Sequence, residues 1–159
     1  MLSVELFPKR TLLGLSKPFI SATQPNSNAS EVIGPLWSEM SKLFFGMKLD
    51  RDANPVGFGA MWNSVEGEPG SMIYFAGYEI YGIPEDLGGL EVLALEPTKY
   101  AFIEHNGPMS ELPGKITSFY KDLLPASGIE RLDGIDLEIY HESENPELPP
   151  RVVIAAPVL

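Results

Sequence analysis

One acidic segment has the residue types and spacing to bind a cation. In the run Ile135-Asp136-Leu137-Glu138-Ile139-Tyr140 apolar and polar residues alternate, which predicts a β-strand with two distinct faces. We expect the apolar face to lie against a helix and the polar face to line a cleft. A carboxylate in such a cleft, above all Glu138, is costly to desolvate and takes up a proton or binds a cation. The alternative is a solvated strand face, the usual environment of glutamate.

Aromatic residues are numerous enough to wall such a cleft. Several alternate onto single faces of predicted strands, and two more fall on a predicted helix and on the acidic strand. The candidate ligand-binding set, with Glu138, is Trp37, Phe58, Trp62, Tyr74, Tyr78 and Tyr140. An aromatic face attracts a cation by about 0.5–2 kcal/mol. The alternative is that these rings simply fill the hydrophobic core.

The sequence of 159 residues contains little evidence for a catalytic, metal or cofactor site. There is no Cys, which excludes thiolate catalysis and Cys-based metal sites. His105 and His141 lack partners at metal-ligand spacing, and Ser118 and Lys121 form an S-x-x-K motif without its companion motifs. We therefore predict no metal, no cofactor and no catalytic residue.

Net charge and hydropathy indicate which classes of partner the protein binds and where in the cell it is located. The net charge is −11, and so acidic a surface repels the phosphates of nucleic acids and anionic lipids. We expect neither nucleic acid nor a membrane to be a direct partner. The sequence shows neither a signal-peptide pattern nor an apolar run long enough to span a bilayer, so we expect a cytoplasmic location.

The elements that must position these residues follow a repeating order. An apolar stripe at helical spacing over residues 33–47 predicts a first helix, with a capping box at Asn28 and a stop at Gly46. A second stripe over residues 112–123 predicts a second helix, stopped by Pro125. Alternation and turn residues predict strands over residues 10–20, 55–62, 71–81, 91–104, 135–141 and 151–156. The strand over 91–104 should be interrupted or bent near Pro97. The pairs 55–62 with 71–81 and 135–141 with 151–156 should form hairpins.

This layout predicts an α+β fold of two pseudo-symmetric β-α-β-β modules. Each module would have an antiparallel sheet with one long helix, and residues 82–89 would link them. We interpret residues 1–159 as one domain with an internal repeat over approximately 1–82 and 90–159. The open sheet faces of the modules would come together and leave a ligand cleft between them.

Four segments of the second half resemble a known family. They are Tyr100-Ala-Phe-Ile-Glu-His-Asn-Gly107, residues 119–128 (FYKDLLPASG), Asp136-Leu-Glu-Ile-Tyr140 and Ala156-Pro-Val158. In this order and spacing they resemble the GyrI-like family, also called the AraC-type effector-binding domain. The resemblance covers residues 91–158 by motif and residues 1–90 by layout only.

The resemblance implies two β-α-β-β modules with a ligand cleft between them. It also implies that Glu138 is the ligand-contacting glutamate, which in multidrug-sensing relatives meets lipophilic cations among aromatic rings. Many relatives carry an N-terminal helix-turn-helix, whereas this sequence starts directly in the effector domain. We therefore expect a stand-alone binder, or one that acts through a partner protein in multidrug or effector sensing linked to transcription.

The residues and the resemblance are together compatible with three functions. The first is non-enzymatic binding of an amphipathic, cationic aromatic small molecule. The second is modulation of a protein partner, as in the gyrase-inhibiting branch of the family, where an acidic domain would mask a basic surface. The third is hydrolysis of a xenobiotic, with Glu138 as general base toward water.

Overall fold

The computed structural model describes residues 2–21, 24–64, 67, 69–142, 145 and 147–159. Within the predicted turns of the two hairpins, residues 65, 66 and 68 and residues 143, 144 and 146 lie outside these ranges. The described strands are β1 (Ser3–Phe7), β2 (Arg10–Ile20), β3 (Gly57–Asn63), β4 (Ser71–Glu79), β5 (Glu91–Leu95), β6 (Thr98–His105), β7 (Asp136–His141) and β8 (Arg151–Pro157). The described α-helices are α1 (Ala29–Phe45), α2 (Leu112–Ser118) and α3 (Leu124–Ser127).

The chain divides into two compact units. One, here called the continuous unit, is Arg10–Leu95, and the other, the split unit, combines Met1–Lys9 with Glu96–Leu159. Within the described ranges each unit has four antiparallel strands, in the order β3-β4-β2-β5 in the continuous unit and β1-β6-β8-β7 in the split unit. The predicted α+β class and antiparallel pairing are confirmed.

The units do not coincide with the predicted halves, because two short strands each pair with a strand of the other half. β1 precedes β2 in the chain yet pairs with β6, so that Ser3 lies beside Phe102. Likewise β5 precedes β6 yet pairs with β2, so that Glu91 lies beside Gly14. The predicted interruption of residues 91–104 near Pro97 is confirmed, since two strands are separated at Glu96 and Pro97. The internal repeat itself stays a prediction.

Helix α1 covers one face of the sheet in the continuous unit. Its buried residues Leu36, Met40 and Phe44 pack with Leu13 and Tyr74 in one hydrophobic core. The predicted start is confirmed at Asn28, but the capping box is wrong: the side chain makes no bond to the helix. Its Oδ1 instead accepts a hydrogen bond of 2.7 Å from the backbone N–H of Ile20, because that donor lies at the strand end that leads into the helix.

The second helical segment is interrupted rather than one long helix. A 3₁₀ turn, Met109–Glu111, leads into α2, and a π-helical turn, Phe119–Leu123, separates α2 from α3. The predicted stop at Pro125 is therefore wrong, and the segment ends at Gly128 with a φ of 71°. A proline ring clashes with the carbonyl four residues earlier in a regular α-helix, and the wider π turn before Pro125 accommodates it.

The core of the split unit is built like that of the continuous unit. Phe119 and Leu124 of the helical segment pack with Ile103 of β6 and with Val152 and Ile154 of β8. No helix in the described ranges is long and apolar enough to cross a membrane.

A close approach of two strands gives the first testable prediction. A Cβ at Gly14 would lie 2.0 Å from the carbonyl oxygen of Ala76 on the paired strand, whereas a Cβ at Gly114 in α2 meets nothing within 4 Å. We expect Gly14→Ala to lower the free energy of unfolding by about 3 kcal/mol or more. Gly114→Ala should raise it by about 0.5–1 kcal/mol, since alanine favours helix. Urea denaturation of both variants measures this, and equal effects would contradict the described pairing of β2 with β4.

Candidate functional site

The polar face of β7 lies on the helix side of the split unit. Glu138 pairs with Ile154 and Tyr140 with Val152, and both of these partners belong to the core that contains Phe119. Paired residues of antiparallel strands share a face. The expectation that the apolar residues of β7 face the helix is therefore wrong. Leu137 and Ile139 are nevertheless buried, at 1% and 4% exposure, so both faces of this strand are covered.

Glu138 is a half-buried carboxylate held by a neighbour on its own face of the strand. The hydroxyl of Tyr140 donates a hydrogen bond of 2.7 Å to Oε1 of Glu138. Tyr140 is also half-buried and packs against the core of the split unit. A phenol that donates to a carboxylate stabilises its charged form. The two residues together present a negative charge beside an aromatic ring.

A second carboxylate, Asp136, lies two residues away on the same face. Its Oδ2 accepts a hydrogen bond of 2.6 Å from Nη2 of Arg131. The guanidinium carbon of Arg131 lies 4.8 Å from the ring centre of Tyr120, so Asp136 and Tyr120 both contact this arginine. The π-helical turn supplies Tyr120, and the connection between α3 and β7 supplies Arg131.

Burial dominates the protonation of this cluster. It raises the pKa of Asp136 above its ordinary 3.8, although the nearby guanidinium of Arg131 and the hydroxyl of Tyr120 oppose the rise. Burial, with the negative charges of Asp136 and Glu138, also raises the pKa of Tyr120. Tyr120 is thus a neutral hydrogen-bond donor at physiological pH.

Three of the predicted aromatic residues meet on the helix side of the continuous unit. The indole N–H of Trp37 donates a 3.0 Å hydrogen bond to the hydroxyl of Tyr74, and the Trp37 ring lies edge-on to Tyr78 at 6.1 Å. Tyr78 also approaches Ser41, with 3.3 Å between the hydroxyl oxygens. Gly57 makes room for the indole, since a Cβ there would lie 3.3 Å from Cη2 of Trp37.

This aromatic group continues to the end of α1. The rings of Phe44 and Phe45 lie 4.8 and 5.3 Å from Tyr78. The guanidinium of Arg51 lies 5.5 Å from the Phe44 ring and 5.0 Å from the Phe45 ring. The continuous unit therefore also places an arginine over aromatic rings in its helix-to-strand connection.

Phe58 and Trp62 lie on the opposite face of the same sheet. Phe58 pairs with Gly77 and Trp62 with Ile73, so neither shares a face with Tyr74 and Tyr78. The structure thus does not bring the predicted aromatic residues of this unit together on one wall. Phe58 and Tyr74 are 0% and 1% exposed, which favours the core interpretation for these two, whereas Trp37, Trp62 and Tyr78 are half-buried.

The remaining polar candidates have local partners. His105 is buried, and its Nε2 lies 2.9 Å from the carbonyl oxygen of Pro108. Within the described ranges no group of three or more His, Asp or Glu side chains is arranged to hold a metal ion.

Sequence reasoning missed two of the residues around Asp136 and Glu138. Tyr120 belongs to the apolar stripe of the second helix, a pattern that predicts only a place in the core. Arg131 lies in a connection with no periodic pattern. The available signal was the tyrosine itself, since a buried phenol needs a hydrogen-bond acceptor.

Comparison with known proteins gives a family and a fold. The model of the family described as GyrI-like small molecule binding domain matches residues 2–159. No curated protein sequence matches the chain.

Several solved structures share the fold at low sequence identity. SAV2435 bound to tetraphenylphosphonium is similar with a TM-score of 0.76 and 15% identity, over 100% of this chain and 94% of that chain. The EcmrR C-terminal domain is similar with a TM-score of 0.63 and 16% identity, over 100% and 97%. A hydrolase from Listeria innocua has a TM-score of 0.52 and 14% identity, over 99% and 91%.

The raised pKa of Asp136 predicts a pH-dependent stability difference. Because the folded chain binds this proton more tightly than the unfolded chain, the contribution of Asp136 to the free energy of unfolding falls as pH rises above the ordinary pKa of 3.8. Asp136→Asn removes this loss. We expect the variant to gain stability relative to the unmodified protein as pH rises from about 3.5 to 7.

Urea denaturation across this pH range measures the difference. Asp122→Asn, which removes an exposed carboxyl from the same unit, is the matched control. A stability difference that moves in favour of the unmodified protein as pH rises would contradict the described burial of Asp136.

Proposed function

The chain belongs to the GyrI-like small molecule binding domain family, and from this premise we propose that it binds amphipathic, cationic aromatic ligands. The observation that carries the proposal is the half-buried carboxylate of Glu138 with its hydrogen bond from Tyr140. This pair offers charge and an aromatic surface on one strand face.

Partial burial makes Glu138 more effective than a surface carboxylate. Two charges 4 Å apart interact by about 1 kcal/mol in water but about 4 kcal/mol at an effective dielectric constant near 20. A lipophilic cation suits this site, because its weak hydration makes desolvation inexpensive and its rings bury apolar area. The tetraphenylphosphonium bound to SAV2435, a protein of the same fold, is a ligand of this chemical class.

We assign the ligand contacts as follows. Glu138 supplies charge and Tyr140 supplies a ring and the hydroxyl that orients the carboxylate. Trp37 and Tyr78, both half-buried, are the further aromatic candidates, and Trp62, also half-buried, is the alternative on the opposite face. Phe58 and Tyr74 support these rings from the core rather than contact the ligand.

Hydrolysis is the second candidate function. Its support is that a hydrolase from Listeria innocua shares the fold. In this function Glu138 would accept a proton from water. Hydrolysis of a bound ligand that is lost in Glu138→Gln would favour an enzymatic function. Binding without hydrolysis would favour the non-enzymatic binding function.

Removal of the charge at residue 138 tests the binding proposal. Glu138→Gln keeps the shape of the side chain and an oxygen that accepts from Tyr140, so the fold should be retained. We expect the affinity for tetraphenylphosphonium to fall by about 10- to 100-fold in isothermal titration calorimetry. Discrimination against tetraphenylborate, which has the same shape and a negative charge, should fall with it.

The matched control is Glu104→Gln. Glu104 is an exposed glutamate of the split unit that pairs with Arg151 at 2.6 Å, and its neutralisation changes the net charge equally. We expect the control to keep the affinity of the unmodified protein. The role of Glu138 would be disproved by an unchanged dissociation constant in Glu138→Gln.

The two faces of the continuous unit can be distinguished by one pair of tryptophan variants. Trp37, Tyr74 and Tyr78 meet on the helix side of the continuous unit, so we expect any ligand contact of this unit to use that face. Trp37→Leu should weaken tetraphenylphosphonium binding about 10-fold, whereas Trp62→Leu should change it by less than about 2-fold. A larger effect of Trp62→Leu in the same titration would assign the ligand to the opposite face.

A further inference from the structure

The helix side of β7 carries two carboxylates, and a tyrosine accompanies each of them. In the first, the hydroxyl of Tyr140 donates to Glu138. In the second, Asp136 and Tyr120 both contact the guanidinium of Arg131. Since Asp136 and Glu138 are two residues apart on one strand, the two pairs are separated by about 7 Å.

The second pair already holds a cation, and that cation belongs to the chain. The guanidinium of Arg131 contacts Oδ2 of Asp136 at 2.6 Å and lies 4.8 Å from the centre of the Tyr120 ring. It thus makes the two contacts expected of a cationic aromatic ligand, one with a carboxylate and one with a ring face. The Asp136 side chain is only 14% exposed, so the guanidinium shields its charge from any molecule that approaches this face.

We infer that Arg131 determines the charge selectivity of the site by occupying its second cation position. This inference rests on the proposed binding of cations at Glu138. With Arg131 in place the site accepts ligands with one positive charge. A second positive charge about 7 Å away would meet the guanidinium instead of a carboxylate, so dications are disfavoured. Removal of the guanidinium takes one positive charge from this face. Asp136 and Tyr120 can then contact a second cationic group of the ligand.

The chain offers a matched ion pair as a control. Arg151 pairs with Glu104 at the same 2.6 Å, and the arginine side chains are similarly exposed, 47% for Arg131 and 42% for Arg151. Glu104 follows the core residue Ile103 on β6, so it points away from the helix side. Arg151→Gln therefore changes the net charge as Arg131→Gln does, but on the other face.

The test compares ethidium, a monocation, with propidium, which adds a second quaternary ammonium three methylenes from the same ring system. Fluorescence titration gives the dissociation constants of both probes for the full chain. We expect the unmodified protein to bind ethidium at least as tightly as propidium. Arg131→Gln should shift the ratio of the two constants toward propidium by about 10-fold, since a new charge contact is gained in a partly buried site.

Three further variants make the result specific to this arginine. Arg131→Lys, which keeps the charge, and Arg151→Gln should both retain the ratio of the unmodified protein. The double variant Arg131→Gln with Asp136→Asn should lose the gain in propidium affinity, because the second carboxylate is gone. Thermal melts of each variant check that the fold is retained.

The outcomes separate the two proposals. If ethidium binds but Arg131→Gln leaves the ratio unchanged, or if Arg151→Gln shifts it equally, the selectivity role of Arg131 is disproved and the binding proposal stands. If neither probe nor tetraphenylphosphonium binds the unmodified protein, the binding proposal fails and this inference fails with it.

Discussion

A carboxylate on the covered face of a strand must be given a donor or a cation, and this constraint organises the split unit. Asp136 and Glu138 both lie on the helix side of β7, next to core residues of β8. Their partners come from the same strand, from the π-helical turn and from the connection that precedes the strand. The interruption of the helix is part of this arrangement, since π turns inside helices recur at functional sites.

The two carboxylates have different surroundings, and this difference suggests their different roles. Asp136 is strongly buried and neutralised by an arginine of the chain itself. Glu138 is half-buried and is oriented by a phenol. Burial of an ionised group without compensation is costly, and the chain supplies an arginine to one acid and a tyrosine to its neighbour.

The sequence predicted most helices and strands, but not which face of each strand lies against a helix. Alternation in β7 defines two faces. Leu137 and Ile139 are buried although they lie on the side away from the helix, so an apolar face does not by itself identify the helix side. Phe58 and Tyr74 were likewise placed on their own strands correctly, but the register that puts them on opposite faces depends on cross-strand pairing. β1 was missed because it has only five residues, and its short alternation of Val4 and Leu6 with polar residues is largely exposed. Glu138 and Tyr140, in contrast, could be identified together because residues two apart on a strand share a face.

The exchange of the short strands has a consequence for the order in which the chain is made. The continuous unit is one uninterrupted segment, so its last strand, β5, leaves the ribosome soon after the others. β1 emerges before all of them, but its partner is β6, where Ser3 meets Phe102. At usual rates of synthesis β1 waits for roughly 5–20 s while the intervening chain is translated. During that time Val4 and Leu6, still 42% and 69% exposed in the finished fold, form an unpaired edge of the kind that promotes association between nascent chains.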